Sequence, residues 1–310
     1  MSVTVMLGPV GDGVAVAAEL AAMHLDGPAA LVTAGWEEAE RNDADLDRML
    51  GGGTRNLGLF GRRLDILDMD PEYADEVRRV RGLLTQLREG YLVQLRHALR
   101  GVDAVRQHDA AARRLAGVQL DEAIETVRAL DERHATRRDA LLGEFYAGYP
   151  PHERPAIVAH REAVAALLAE CAALVIAGGH VGVLTDCLHV CNLGALLADR
   201  PVVAWSSGAM AIAERVMLVD DHDLAARPDE VLGAGIGVVR GVVPLPAAAT
   251  RLRIDDRSHL ALLARRLAPR ACVLLDEGDR LGFDVAGAAD LSTARVVSPD
   301  GLVRSPAEAA

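Results

Sequence analysis

Ser206 lies in the run Ala204-Trp205-Ser206-Ser207-Gly208-Ala209, behind the apolar pair Val202-Val203 and ahead of Ala209-Met210-Ala211. A strand, a tight strained turn and an immediate helix lift a serine hydroxyl clear of the backbone as a nucleophile. The chain passes close to itself at such a turn, so small residues are needed two before and two after the serine. Ala204 and Gly208 fill those places. The first helical amides then face the serine, and the Ser207 amide can stabilise an oxyanion. The same pattern also suits a plain strand-to-helix turn capped by serine. A metal reading is weaker. His180, Cys187 and Cys191 fall near one helical face, with Asp186 and His189 close by. Cys-x-x-x-Cys is not a usual zinc spacing, however, and cysteine is among the most buried residue types. Neither a metal nor another cofactor is expected.

These residues need a sheet to hold them. Short apolar runs at 3–7, 29–33 and 64–68 read as strands, with helices expected over 14–24 and 37–50. Further strands are expected at 173–177, 201–204, 216–219 and 272–275, with helices over 183–198 and 257–267. Strands alternating with helices predict a parallel α/β sheet. Between these two parts the rhythm changes. Val77, Val80, Leu84, Leu87, Tyr91, Leu95, Leu99 and Val102 recur at three- and four-residue steps, which keeps them on one stripe of a long helix. A second helix is expected over 109–146, stopped by Gly148-Tyr149-Pro150-Pro151, and a third over 154–171. The expected organisation is an α/β domain made of 1–70 and 172–310, with a helical hairpin inserted at 71–171. The apolar stripe is long for one partner helix, so a homodimer is expected to cover the remainder.

Composition narrows the class. Of 310 residues, 51% are hydrophobic and only 3% aromatic, so the core must be built from Ala, Val and Leu. All 33 positive charges are arginine, set against 45 acidic residues, for a net charge of −12. That balance argues against nucleic-acid and anionic-membrane partners. No apolar run is long enough to span a bilayer. The first Arg or Lys is Arg41, so the N-terminus lacks the basic stretch of a secretory leader. Four cysteines do not make a disulfide framework, and the expected location is the cytoplasm.

Four segments in order resemble the dipeptidase E and cyanophycinase family of serine peptidases. They are Val175-Ile176-Ala177-Gly178-Gly179, the run around Ser206, the glycine-rich stretch from Gly235 to Val243, and Cys272-Val273-Leu274-Leu275-Asp276-Glu277-Gly278. The resemblance covers the first 68 residues loosely and residues 172–283 more specifically, and it leaves out the helical insertion. It implies a three-layer α/β sandwich of the class I glutamine amidotransferase-like type. Ser206 would be the nucleophile, and the amides of Gly179 and Ser207 the oxyanion donors. The substrate would be a small peptide or amide. The chain also departs from the family. Ala247 stands where a histidine is expected, Ala204 replaces the usual Gly, and Ser207 replaces the usual Ala. A serine hydroxyl without a base is a poor nucleophile at neutral pH. His180, directly after the glycine pair, is the best substitute by position. His222, with Asp221 as the acid, is the next, and His259 is more remote. Each is also readable as a surface or helix-capping histidine. Two functions follow from this: a divergent serine hydrolase, or a catalytically silent relative that keeps the fold for ligand binding or assembly.

Overall fold

The computed structural model describes residues 4–11, 13–109, 116–197, 200–219, 228–284 and 286–304. The first part of the chain forms β1 (Thr4–Leu7), α1 (Val14–Ala22), β2 (Ala29–Val32), α2 (Ala44–Met49), β3 (Arg55–Asn56) and α3 (Leu59–Met69). Three helices follow: α4 (Pro71–Asp109), α5 (Ala116–Gly148) and α6 (Pro155–Ala169). The chain then returns to the sheet with β4 (Ala173–Ile176), α7 (Val181–Val190), β5 (Val202–Trp205) and α8 (Ser207–Ile212). After these come β6 (Val216–Leu218), β7 (Glu230–Gly233), β8 (Val242–Pro246), α9 (Ala248–Arg251) and α10 (Arg257–Leu267). The last elements are β9 (Ala271–Leu275), β10 (Arg280–Phe283), β11 (Arg295–Val297) and β12 (Val303–Arg304).

The protein is α/β with a mostly parallel central sheet. Its strands run β10-β1-β5-β4-β2-β3, all parallel except β10, which lies antiparallel along β1. Every residue of β4 and β5 is buried, because helices cover both faces. Burial on both faces is why these strands read as unbroken apolar runs instead of alternating ones. A second sheet, β12-β11-β9-β8, and the antiparallel pair β6-β7 flank the first. No helix of the described residues is long and apolar enough to cross a membrane.

Several expected elements change. Residues 64–68 are not a strand but part of α3, which buries Leu59, Phe60, Arg63 and Ile66. Steps of three and four place those four side chains on one helical face. The third strand is instead the two-residue β3, which has no apolar run to betray it. The expected helix over 37–50 is a 3-10 turn, Ala34–Ala39, followed by α2. Helix α7 ends at Val190, and a separate 3-10 turn, Leu193–Leu196, follows it.

Helices α4 and α5 form the expected hairpin. Tyr73 meets Phe145 with ring centroids 5.5 Å apart, and Tyr91 stacks on His134 at 4.0 Å. Partners that rise along one helix as they fall along the other make the pair antiparallel. Val80, Tyr91, Leu95 and Val102 are buried within the single chain; Leu262 of α10 joins the cluster of Tyr91, Leu95 and Val102, and Val80 packs with Ile66, Tyr73 and Phe145. Within the chain the stripe finds partners in α5 and α10, while Leu84 and Leu87 stay half-buried. Helix α6 belongs to the body, because Val164 and Leu168 pack into the main core with β4.

A buried polar joint fixes the hairpin to the body. Arg266 of α10 donates to Asp131 of α5 through Nε at 2.6 Å and Nη2 at 2.8 Å. The same guanidinium reaches Tyr91 Oη and the Asp229 carbonyl. Tyr91 Oη in turn donates to Asp131 at 2.7 Å. Burial opposes the charge on Arg266, but the Asp131 carboxylate outweighs it and holds the guanidinium above its ordinary range. Arg88 of α4 adds a bond to Glu230 of β7, with Nε at 2.9 Å.

Candidate active site

Strand β5 runs between β1 and β4 and delivers Ser206 at the carboxyl edge of the sheet. The Ser206 backbone lies at φ 53, ψ −126, and α8 starts on the next residue. A non-glycine residue held there costs about 1–3 kcal/mol, so the surroundings must enforce it. The Ser206 amide donates to the Leu7 carbonyl at 3.1 Å, which ties the turn to β1. On the other side, a Cβ placed at Gly208 would sit 2.4 Å from the Ile176 carbonyl oxygen. Only glycine lets α8 begin so close to β4. A Cβ at Gly178 would stand 3.0 Å from Ser206 Cβ, so that glycine makes room for the serine side chain. Ala204 is fully buried under the turn.

The expected oxyanion donors differ from each other. The Ser207 amide is at the first helical position, where no intrahelical acceptor exists. The Gly179 amide donates to Ser207 Oγ at 2.6 Å, and the same hydroxyl donates to the Gly179 carbonyl at 2.6 Å. Gly179 is therefore engaged by the Ser207 hydroxyl. Its φ of 138° and a virtual Cβ 2.3 Å from the Gly35 carbonyl oxygen require glycine here.

His180 is exposed and caps α7, accepting the Val183 amide on Nδ1 at 3.1 Å. The neutral ring then carries its proton on Nε2 and offers a donor there, not a base. To take the Ser206 proton through Nε2 it would have to give up the cap. Asp221 and His222 lie outside the described residues. His259 is not at this edge. Its Nε2 lies 3.2 Å from Asp229, beside the hairpin. Ala247 has φ 55, ψ 41 at the end of β8, and its amide donates to the Leu275 carbonyl. Among the described residues no side chain accepts a hydrogen bond from Ser206 Oγ. The cysteines near α7 are buried, and burial pushes the Cys187 thiol up to about 12 and Cys191 to about 11.

One further residue near this edge carries no signal in the sequence. Glu37 has φ 57, ψ −124, nearly the same strained conformation as Ser206. It follows Gly35, whose virtual Cβ would lie 3.1 Å from Gly179 Cα and 3.2 Å from the His180 nitrogen. Glu37 thus lies two residues beyond the glycine that packs against Gly179, where β2 and β4 end together. Its residue type carries no sign of this, because glutamate within Trp36-Glu37-Glu38-Ala39 reads as ordinary helix.

Compared with known proteins, the chain matches no family model and no curated sequence.

Proposed function

We propose that the protein is a divergent serine hydrolase of the dipeptidase E and cyanophycinase-like type, cleaving a peptide or amide bond with Ser206 as nucleophile. The observation that carries this reading is the strained Ser206 backbone between β5 and α8, a conformation a mere helix cap does not need. The parallel order β1-β5-β4-β2 around that serine supports a class I glutamine amidotransferase-like sandwich. In the reaction, Ser206 Oγ attacks the carbonyl carbon and gives up its proton, while the carbonyl oxygen becomes an oxyanion held by the Ser207 amide. The intermediate collapses, the amine leaves with a proton, and water then hydrolyses the acyl-serine. The Gly179 amide joins the oxyanion site once the Ser207 hydroxyl turns away. The base comes from His180 released from its cap, from His222 with Asp221, or from Glu37.

A second reading has its own support. Ala247 in place of a histidine and the doubly bonded Ser207–Gly179 pair both favour a silent relative. A fluorophosphonate probe read by intact mass separates the two. A single adduct that disappears in Ser206→Ala supports the hydrolase. No adduct, beside a labelled dipeptidase control, removes it.

A further inference from the structure

Helix α3 places a cation where its pattern calls for a hydrophobic residue. Its buried face runs Leu59, Phe60, Arg63, Ile66, and Arg63 is only 7% exposed. A buried charge is costly unless it is paired and hydrogen-bonded. Among the described residues nothing accepts a hydrogen bond from the Arg63 guanidinium. The carboxylate that most favours its charge, Asp186 of α7, is already bonded to Arg81 of α4 at 2.5 Å. Burial and the neighbouring Arg81 both work against the charge on Arg63.

The guanidinium opens instead onto a cleft of about 170 Å³ at the base of the hairpin, lined by α3, α4, α5 and α7. Tyr73, Leu142, Phe145 and Tyr146 supply apolar and aromatic walls, and Arg138 adds a second guanidinium at the rim. The space suits a ligand on the order of ten non-hydrogen atoms. Arg81, Asp139, Asp186 and His189 also line it, and a few polar groups in a mostly apolar pocket are the usual plan of a small-molecule site. The cavity is separate from Ser206, because α7 presents His180 to the catalytic edge and Asp186 and His189 to the cavity.

We infer that this cavity binds a small organic acid whose carboxylate pairs with Arg63 and whose aromatic or aliphatic body packs against the walls formed by Tyr73, Leu142, Phe145 and Tyr146. A planar guanidinium matches a carboxylate through two parallel bonds, which an amide or alcohol cannot reproduce. The inference is independent of any activity at Ser206.

Calorimetric titration of the full chain with 4-phenylbutyrate, and with its neutral analogue 4-phenylbutanamide, tests it. The carboxylate is expected to bind one per chain, about tenfold or more tighter than the amide. Arg63→Met keeps the side-chain length and removes the charge, so it should abolish that preference. Ser206→Ala should leave binding unchanged. Equal affinity for acid and amide, no saturable binding of the acid, or a preference that survives Arg63→Met would each overturn the inference. The comparison of the two ligands on the unmutated chain decides the matter even if Arg63→Met does not fold.

Discussion

Ser207 and Gly179 hold each other twice: the serine hydroxyl accepts the glycine amide and donates to the glycine carbonyl, both at 2.6 Å. This clasp joins the start of α8 to the end of β4 across the candidate nucleophile. It also occupies one of the two amides an oxyanion would need. Ser207→Ala should cost about 1–2 kcal/mol of stability, read from the denaturation midpoint. If Gly179 serves the oxyanion, the same variant should label faster with the fluorophosphonate. An unchanged labelling rate would remove Gly179 from the mechanism.

Glu37 gives a test of strain. Glu37→Gly places at φ 57, ψ −124 the residue that tolerates it, so the variant should be about 1 kcal/mol more stable. Glu38→Gly, one residue on, should be neutral or less stable. A destabilised Glu37→Gly would mean that the carboxylate holds the turn together and that the strain reading is wrong. If stability rises while probe labelling falls, the strain is kept for chemistry.

The joint between hairpin and body should be intolerant of half-removal. Asp131→Ala leaves Arg266 charged, buried and unpaired, which should cost about 3–5 kcal/mol. Combining Asp131→Leu with Arg266→Met removes both charges and should recover much of that loss. A double-mutant cycle in urea measures the coupling. A cycle showing no coupling would mean that packing alone docks the hairpin.

His134 sets a pH dependence. It is 4% exposed and stacked on Tyr91, and its Nδ1 has no hydrogen-bond partner among the described residues. Burial, with the Arg138 charge nearby, pushes its pKa below the ordinary 6.5. The unfolded chain then binds more protons than the folded one between the lowered value and 6.5, so stability rises with pH through that window. The melting temperature should therefore fall as the pH drops below 6.5. His134→Phe keeps the stacking and should flatten that part of the curve. An equally steep curve in the variant would place the dependence on other groups.

Much of the sheet was legible because its strands are buried on both faces. β1, β2, β4, β5 and β9 each appear as an apolar run, and four of these runs lead directly into a glycine or a small-residue turn. The hairpin was legible from the three- and four-residue steps that carry Val80 to Val102. What was hidden lacked such a contrast. β3 is two polar residues, and β8 carries Pro244 and Pro246, which argue against a strand that in fact pairs along its length with β9. Helix α3 is hidden because Leu64, Ile66 and Leu67 fall close enough together to read as a short apolar run. Its true face includes Arg63, a cation that no hydrophobic pattern counts. At the candidate site the elbow at Ser206 could be read from small residues at fixed offsets. The twin strain at Glu37 and the capture of the Gly179 amide could not, because both depend on segments far apart in the chain.

The strand order β10-β1-β5-β4-β2-β3 has a consequence for the chain as it leaves the ribosome. β1 lies between two neighbours that are synthesised after residue 200, and β2 waits for β4 until the whole hairpin has emerged. For most of translation β1 therefore has no partner and β2 only the two-residue β3, which is when such open edges are prone to pair wrongly. Helices α4 and α5 contact each other locally and can form first. By bringing its own two ends together, the hairpin carries β4 towards β2 and shortens the interval in which those edges stay bare.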